Sequence, residues 1–471
     1  MRKLLASIFA LSTLSSTTVL AQDVWQPPQC RLNTRHFLVN SAVLYVKGAT
    51  ESRFADRREA QLSDAQRVLN QAINRGQSEN PAVWYYYGRY YEMKNDPAGA
   101  DSAYGRAAEL EPECAEDIMR RRRAMWVPIV NRAIAAFQAN EADSAAANFR
   151  LANAIYDQEP QGFYYLADLL GRHLNQPDSA IYYFKKALTL TNETDQHESI
   201  RANSTYMVAQ LYRIEQELDS AAVWYEKYRE IEPTDSDVIS DLADVYNALG
   251  NEESALALYD SVVSNAEQFE ATAIFNAGVS FFLAEQFDRA ARAFEQGLEM
   301  NPYHRDGLFN LANTYLALVQ EIDESVGEEA KRQRREELGN LMLPITLQLN
   351  TMVCNNQQSI RLLAQAYRLV EERDSTLAHL ERANAANFDI VVDLFYESEG
   401  DTHTLQGRII NLMPESVSVP GTTFEFIDTE GNVVITERIE PATLEVDGTL
   451  DFQFNPAGEA IQGWRYTVEA S

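Results

Sequence analysis

Cysteine is scarce in this chain of 471 residues: Cys30, Cys114 and Cys354 are the only three. They are too few to staple a fold of this length, and at most one disulfide can form among them. Histidine is nearly as thin, with His36, His173, His197, His304, His379 and His403 scattered along the chain. None stands at helical ligand spacing from another histidine or a cysteine, so a zinc centre is excluded. A glycine-rich phosphate loop, a GxSxG elbow and an HExxH pair are all missing, which leaves phosphoryl transfer, serine hydrolysis and metalloproteolysis without their residues. Asp235 and Asp237 open like a calcium loop, but its glycine and closing glutamate are absent. Positive charge is short too. Lys and Arg number 40 against 70 Asp and Glu, a net charge of −30, and a surface of that sign repels nucleic acid and anionic lipid. These gaps predict a protein with no cofactor, no metal and no catalytic constellation.

What is present begins at the N-terminus. Arg2 and Lys3 precede a moderately apolar stretch, Leu4 to Leu20, that closes on Val19, Leu20 and Ala21. This reads as a secretory leader over residues 1–21, cleaved after Ala21. Gln22 is not the cysteine that lipid anchoring would need, and Cys30 lies too far downstream. Losing Arg2 and Lys3 leaves 38 basic against 70 acidic side chains, a net −32. Beyond the leader no run approaches the roughly 20 apolar residues that a membrane span requires, so the mature chain is expected to lack a transmembrane segment.

A repeat then organises the chain. From Pro81 it reads Trp84, Tyr87, Gly88, Tyr91, Ala100, Tyr104, Ala107 and Pro112. The register returns as Ile239, Leu242, Ala243, Tyr246, Ala255, Tyr259 and Val262, and again as Ile274, Ala277, Gly278, Phe281, Ala290, Phe294, Gly297 and Pro302. Starts fall near residues 81, 126, 161, 202, 236, 271, 305 and 357, several of them 34 or 35 apart. Ile239, Leu242, Ala243 and Tyr246 stand at i, i+3, i+4 and i+7, one helical face. Gly250 and Asn251 break that helix before a second apolar stripe begins. A lone hairpin of this size cannot cover its apolar face, so each unit must stack on its neighbours.

This pattern resembles the tetratricopeptide repeat (TPR) family. The resemblance implies a mainly α fold, an α-solenoid of helix-turn-helix repeats wound as a right-handed superhelix, with about eight repeats over residues 81–390. Residues 22–80 contain two further helical segments, Thr34 to Lys47 and Leu62 to Asn74, read as a cap or degenerate repeat. The segments Glu113 to Met125 and Val319 to Glu337 interrupt the period; both are rich in helix formers and predict longer helices. The arginine run Arg120 to Arg123 within the first cannot all face one way, and predicts pairing inside this acidic protein. Export permits one disulfide and leaves one thiol over; a Cys30–Cys114 bridge is one possible pairing, because the segment before the first full repeat would pack near that repeat's end.

Past about Asp389 the pattern alternates, with strands expected at Ile390–Tyr396, Thr404–Leu412, Thr423–Asp428, Val433–Ile439, Thr449–Asn455 and Gly463–Val468. Glu430, Gly431 and Asn432 mark a hairpin turn. Gly407, Asn411, Phe424, Phe426, Asp428, Gly431, Phe452 and Phe454 together resemble the bacterial FxLYD type of immunoglobulin-like domain, with Phe426 standing for its Leu and Ile427 for its Tyr. A small all-β sandwich is therefore expected over residues 391–471. It holds three arginines against fifteen acids, which disfavours anionic surfaces.

The candidate site lies on the first helices of the sixth and seventh repeats. Asn276 stands two residues before Gly278, and Asn310 two before Ala312, with Asn313 following. The TPR resemblance implies that such inner-face asparagines bond an extended peptide's backbone, since an amide both donates and accepts. The equivalent positions elsewhere are Asp241, Met207, Leu166 and Tyr86. Phe275, Val279, Phe282, Phe309 and Leu316 are expected on the same face as an apolar groove, unless the long insertion of the seventh repeat buries it. The expected function is a non-enzymatic scaffold, exported to the periplasm or surface of a bacterium, holding a protein or peptide partner of the cell envelope. The alternative is a structural spacer or surface-layer component without a groove ligand.

Overall fold

The computed structural model describes residues 25–191, 197–323, 325–398, 401–458 and 460–469. The expected leader lies outside the described residues. The chain divides into two compact units, one ending at Pro233 and the other starting at Thr234.

Among the described residues the first unit contains ten α-helices: α1 (Phe37–Glu51), α2 (Ala55–Ala72), α3 (Pro81–Met93), α4 (Pro97–Leu110), α5 (Ala115–Gln138), α6 (Ala142–Ile155), α7 (Pro160–Arg172), α8 (Pro177–Leu188), α9 (Glu198–Ile214) and α10 (Leu218–Ile231). They pack as successive pairs, α1 on α2, α3 on α4 and so on to α9 on α10. Local chemistry sets the helix limits. Pro81, Pro97, Pro160 and Pro177 open their helices, where a missing N–H costs nothing. The Asn80 and Asp96 side chains accept the freed N–H groups of Ala82 and Gly99. Between paired helices the chain turns through left-handed residues, Asn95 at φ 54°, Asn140 at 59° and Asn175 at 50°, a conformation asparagine tolerates better than most residues.

Close approach of a small residue to an aromatic ring closes the α3–α4 hairpin. A Cβ at Gly88 would run into the Tyr104 ring, and Tyr104 is fully buried. α5 starts about ten residues earlier than the repeat spacing suggests, because the arginine run is helical and wholly engaged. Arg120 pairs with Glu116 at 2.8 Å, Arg122 with Asp101 at 2.7 Å and Arg123 with Glu159 at 2.7 Å. Arg121 donates to the Tyr85 hydroxyl at 2.8 Å and to Glu92 at 3.3 Å. Ahead of α1, residues 25–36 run without helix or strand across the first hairpins. Cys30 is bonded to Cys114, with Cα atoms 5.0 Å apart across a separation of 84 residues.

The second unit continues with α11 (Ser236–Ala248), α12 (Glu252–Ser264), α13 (Ala271–Leu283), α14 (Phe287–Met300), α15 (Arg305–Gln320), α16 (Glu328–Met352), α17 (Gln357–Leu369) and α18 (Arg373–Asn384). The array is helix-turn-helix throughout, as the TPR pattern implies. Asp235, one of the pair resembling a calcium loop, caps α11 by accepting the Asp237 and Val238 N–H groups. Gly250, at φ 74°, makes the α11–α12 turn, and Asn251 caps the next helix. The Val319–Glu337 insertion is only partly helical: α15 ends at Gln320, and α16 starts at Glu328 and runs for 25 residues.

Among the described residues eight strands follow: β1 (Phe388–Ser398), β2 (Thr402–Asn411), β3 (Val417–Val419), β4 (Thr422–Ile427), β5 (Val433–Ile439), β6 (Ala442–Leu444), β7 (Thr449–Phe454) and β8 (Gly463–Val468). All pair antiparallel, in the orders β1-β2-β7 and β5-β4-β8, with β3 and β6 a separate pair. Three-residue strands are too short to show alternation, which is why β3 and β6 escape a sequence reading. Phe424 of one sheet lies 5.1 Å from Phe452 and 5.3 Å from Phe454 of the other, ring centre to ring centre. The two sheets therefore face each other across a layer of rings, a small sandwich. This layer also meets the helices. Val353, after α16, bridges in parallel to Tyr466 on β8, and Asn301, after α14, donates to the Gln462 carbonyl at 2.9 Å. Asn356, the cap of α17, reaches Asp389 at 3.3 Å.

Two stability effects follow. A Cβ at Gly278 would lie 2.7 Å from the buried Phe294 ring, so Gly278→Val is expected to cost about 1–3 kcal/mol through overpacking, measured as a lower urea midpoint. Loss of the Cys30–Cys114 bond releases a long loop in the unfolded chain, so Cys30→Ser is expected to lower stability by about 2–4 kcal/mol. A midpoint equal to that of the oxidised wild type would refute it.

Candidate functional site

A groove of about 590 Å³ opens in the second unit between α13, α14, α15 and the start of α17. Its apolar wall is built from Phe282, Phe287, Phe309 and Leu316. Phe282 and Phe287 meet edge to face at 5.3 Å, either side of the α13–α14 turn. Its polar wall is a row of amides: Asn310, Asn313 and Gln320 on α15, faced by Gln358 on α17. Asn310, Asn313, Ala317 and Gln320 stand at i, i+3, i+7 and i+10, one stripe of the helix. The Asn313 amide nitrogen donates to the Phe309 carbonyl one turn back at 2.9 Å, which fixes the side chain along the groove. No lining residue is charged, although the chain as a whole is strongly acidic. Arg305 lies 5.2 Å over the Phe309 ring and is paired with Asp306 at 2.6 Å. The site can therefore hold neutral amide groups by hydrogen bonds and an apolar side chain between rings. Among the described residues it offers no nucleophile or metal-ligating group.

Of the residues expected on this face, Phe282, Phe309, Asn310, Asn313 and Leu316 come together. Phe275 does not. It shares a stripe with Phe282, but its end of the stripe is covered: the ring stacks on His304 at 4.0 Å and fills the space that side chains at Gly297 and Gly307 would take, leaving it 4% exposed. Asn276 and Val279 are exposed on α13 and do not line the groove. No residue of α16 lines it either; of the described residues of the insertion only Gln320, at the end of α15, reaches the groove. Phe287, Gln320 and Gln358 were not anticipated. Gln320 was legible as the continuation of the Asn310–Asn313 stripe, whereas Phe287 and Gln358 arrive from other helices, which spacing on one helix does not report.

The turns that hold the β sandwich are also those that start α15 and α17. His304 caps α15: its Nδ1 accepts the Gly307 N–H at 2.9 Å. Burial holds its pKa below the usual 6.5, opposed by Asp306. On α17, Asn356 accepts the Ser359 N–H at 3.0 Å while its amide nitrogen donates to Asp389, so the helix start carrying Gln358 is tied to β1. A second hollow, of about 270 Å³, lies in the first unit beside Glu92, Arg121 and Arg132. Arg121 is already engaged by Glu92 and Tyr85, and burial pushes the Glu92 carboxyl above its usual range. Its charges are largely satisfied from within.

No family model matches the chain, and no curated protein matches it. Solved structures similar to it include the C-terminal part of a TPR repeat-containing protein from Cytophaga hutchinsonii, at 14% identity over 55% of this chain and 95% of that one, with a TM-score of 0.35. YrrB, described as a TPR protein with an unusual peptide-binding site, matches at 18% identity over 50% of this chain and 97% of its own, with a TM-score of 0.28. The TPR2AB domain of yeast Sti1, in complex with pHSP90, matches at 15% identity over 56% and 91%, with a TM-score of 0.27.

The cap of α15 gives a pH signature. With the folded pKa of His304 below its unfolded value, the unfolded chain binds the extra proton, so stability is complete above about pH 6.5 and falls as pH drops toward the folded pKa. Protonation also removes the acceptor that Gly307 needs. His304→Asn keeps a cap without a titrating ring, and is expected to flatten the fall in urea midpoint between pH 7.5 and 5.5. Parallel curves for the two proteins would refute the assignment.

Proposed function

We propose that this chain is an exported scaffold that binds an extended segment of a protein partner in the groove between α13, α15 and α17, and that it acts by binding rather than by catalysis. The observation that carries this reading is the pairing of an uncharged amide row, Asn310, Asn313, Gln320 and Gln358, with the rings of Phe282, Phe287 and Phe309. Peptide groups bond to amides whatever their sequence, while the rings select an apolar side chain. Export is supported by the leader pattern at residues 1–21 and by the Cys30–Cys114 bond, which persists only in an oxidising compartment. A bacterial periplasm or cell surface fits both. The β sandwich, read as immunoglobulin-like of the FxLYD type, then serves as a brace for the groove, since it bonds the turns that begin α15 and α17.

The test is fluorescence polarisation against a library of labelled extended peptides drawn from envelope proteins. For any peptide bound, Phe282→Ala and Asn310→Ala are each expected to weaken affinity about tenfold, or 1.4 kcal/mol. Asn276→Ala, outside the groove, is expected to leave it unchanged. Equal affinities for wild type, Phe282→Ala and Asn310→Ala would sink the groove assignment. Fractionation supplies the test of export: a mature N-terminus at Gln22, found outside the cytoplasm, is the expected result.

A further inference from the structure

The inner-face position that Asn310 occupies in its repeat is Tyr86 in the first full repeat, two residues before Gly88. Tyr86 is not open to a ligand: it is only 3% exposed, because the segment ahead of α1 lies on it. The Trp25 indole stacks on the Tyr86 ring at 6.3 Å with the planes 10° apart. One turn further along α3, the Arg89 guanidinium sits 4.7 Å over the same indole and donates to the Gln26 carbonyl at 3.1 Å. An aromatic side chain and the next backbone carbonyl are thus both recognised. The segment that supplies them reads Trp25, Gln26, Pro27, Pro28, Gln29, Cys30. Two consecutive prolines bias it to an extended conformation before it binds, and Gln26, Pro27 and Gln29 remain exposed. It is anchored at two points beyond: the bond from Cys30 to the buried Cys114, and the Asn80 amide donating to the Asn33 carbonyl at 3.2 Å.

We propose that the inner face of the first full repeat, around Tyr86 and Arg89, is a second binding surface, specific for an extended segment bearing an aromatic residue, and that Trp25–Cys30 occupies it as a tethered ligand locked by the Cys30–Cys114 disulfide. Within the chain the lock works through effective concentration: a short strap bonded at Cys30 keeps Trp25 at its slot far better than an untethered peptide could. Opening requires a dithiol reductant. The S–S bond takes two electrons and two protons to give the Cys30 and Cys114 thiols, and the reductant closes to its own disulfide. Cys30 is only half-buried, so its sulfur is the point of attack. The strap then hangs from Asn33, and a partner's aromatic segment can compete for the slot. This surface belongs to the first unit and is independent of the groove on α13, α15 and α17.

The experiment uses the full chain and two probes. Hydrogen exchange of the wild type, oxidised and then treated with dithiothreitol, is expected to rise at least tenfold at Gln29 to Leu32 on reduction; unchanged exchange overturns the lock. A labelled peptide of residues 25–31 carrying Cys30→Ser is then titrated onto the reduced Trp25→Ala chain, where the slot is empty. Saturable binding is expected, at least tenfold tighter than to the oxidised wild type, and weakened by adding Tyr86→Ala. Absence of binding with the helical circular dichroism intact overturns the proposal. Should reduction abolish that helical signal, the oxidised Trp25→Ala chain decides: N-acetyltryptophanamide is expected to bind it saturably and not to bind the wild type, and failure to bind overturns the surface.

Discussion

The approach of a small residue on one helix to an aromatic ring on the next is the contact on which this protein depends. Gly88 against Tyr104 and Gly278 against Phe294 let paired helices come together more closely than any side chain would allow. The ring then fills the space the missing Cβ leaves, out of water, where burying an aromatic side chain is worth about 2–3 kcal/mol. A hairpin closed in this way still has an apolar flank, which only the next hairpin can cover. Closure and stacking are therefore one requirement repeated along the chain.

Where the stacking is regular, the first helices of successive hairpins leave a hollow between them, and the side chains on that stripe are free to vary. In the second unit they are amides and rings, and the hollow is open. At Tyr86 the same repeat position carries a ring, and the chain's own Trp25 covers it. Similar backbone geometry thus presents two different chemistries. The charge run on α5 is absorbed in the same scaffold: every arginine from Arg120 to Arg123 finds a carboxylate within the protein, so it offers little to an acidic partner.

The β sandwich bears on the groove through the helix starts. Asn301, Val353 and Asn356 are turn residues of the array that bond to strands. Tyr466, fully buried, takes part in this contact through its hydroxyl, which accepts the Asn355 N–H at 3.2 Å. Holding α15 and α17 at their first turns fixes the distance between Asn310 and Gln358. In the proposed function both amides reach one peptide only if that distance is constant.

Much of this was written locally. Apolar spacing of 3.6 residues, helix-opening prolines and asparagine or glycine turns specify each hairpin from within some 34 residues, because helix limits and close-packing positions are local properties. Alternation and the Glu430–Asn432 turn likewise placed six of the eight strands among the described residues. The amide stripe on α15 was legible for the same reason, being a matter of spacing on one helix. What spacing does not contain is which part of a stripe another segment will cover. Phe275 and Phe282 stand seven residues apart on one face, yet the turn at His304 buries the first and leaves the second lining a groove. Likewise Gln358 joins Asn310, and Cys30 meets Cys114 from 84 residues away, through contacts that form only once the hairpins have stacked. The sequence by itself determined the repeat and its hairpins; tertiary structure alone decided which inner faces are open and which are occupied, because exposure depends on neighbours remote in the chain.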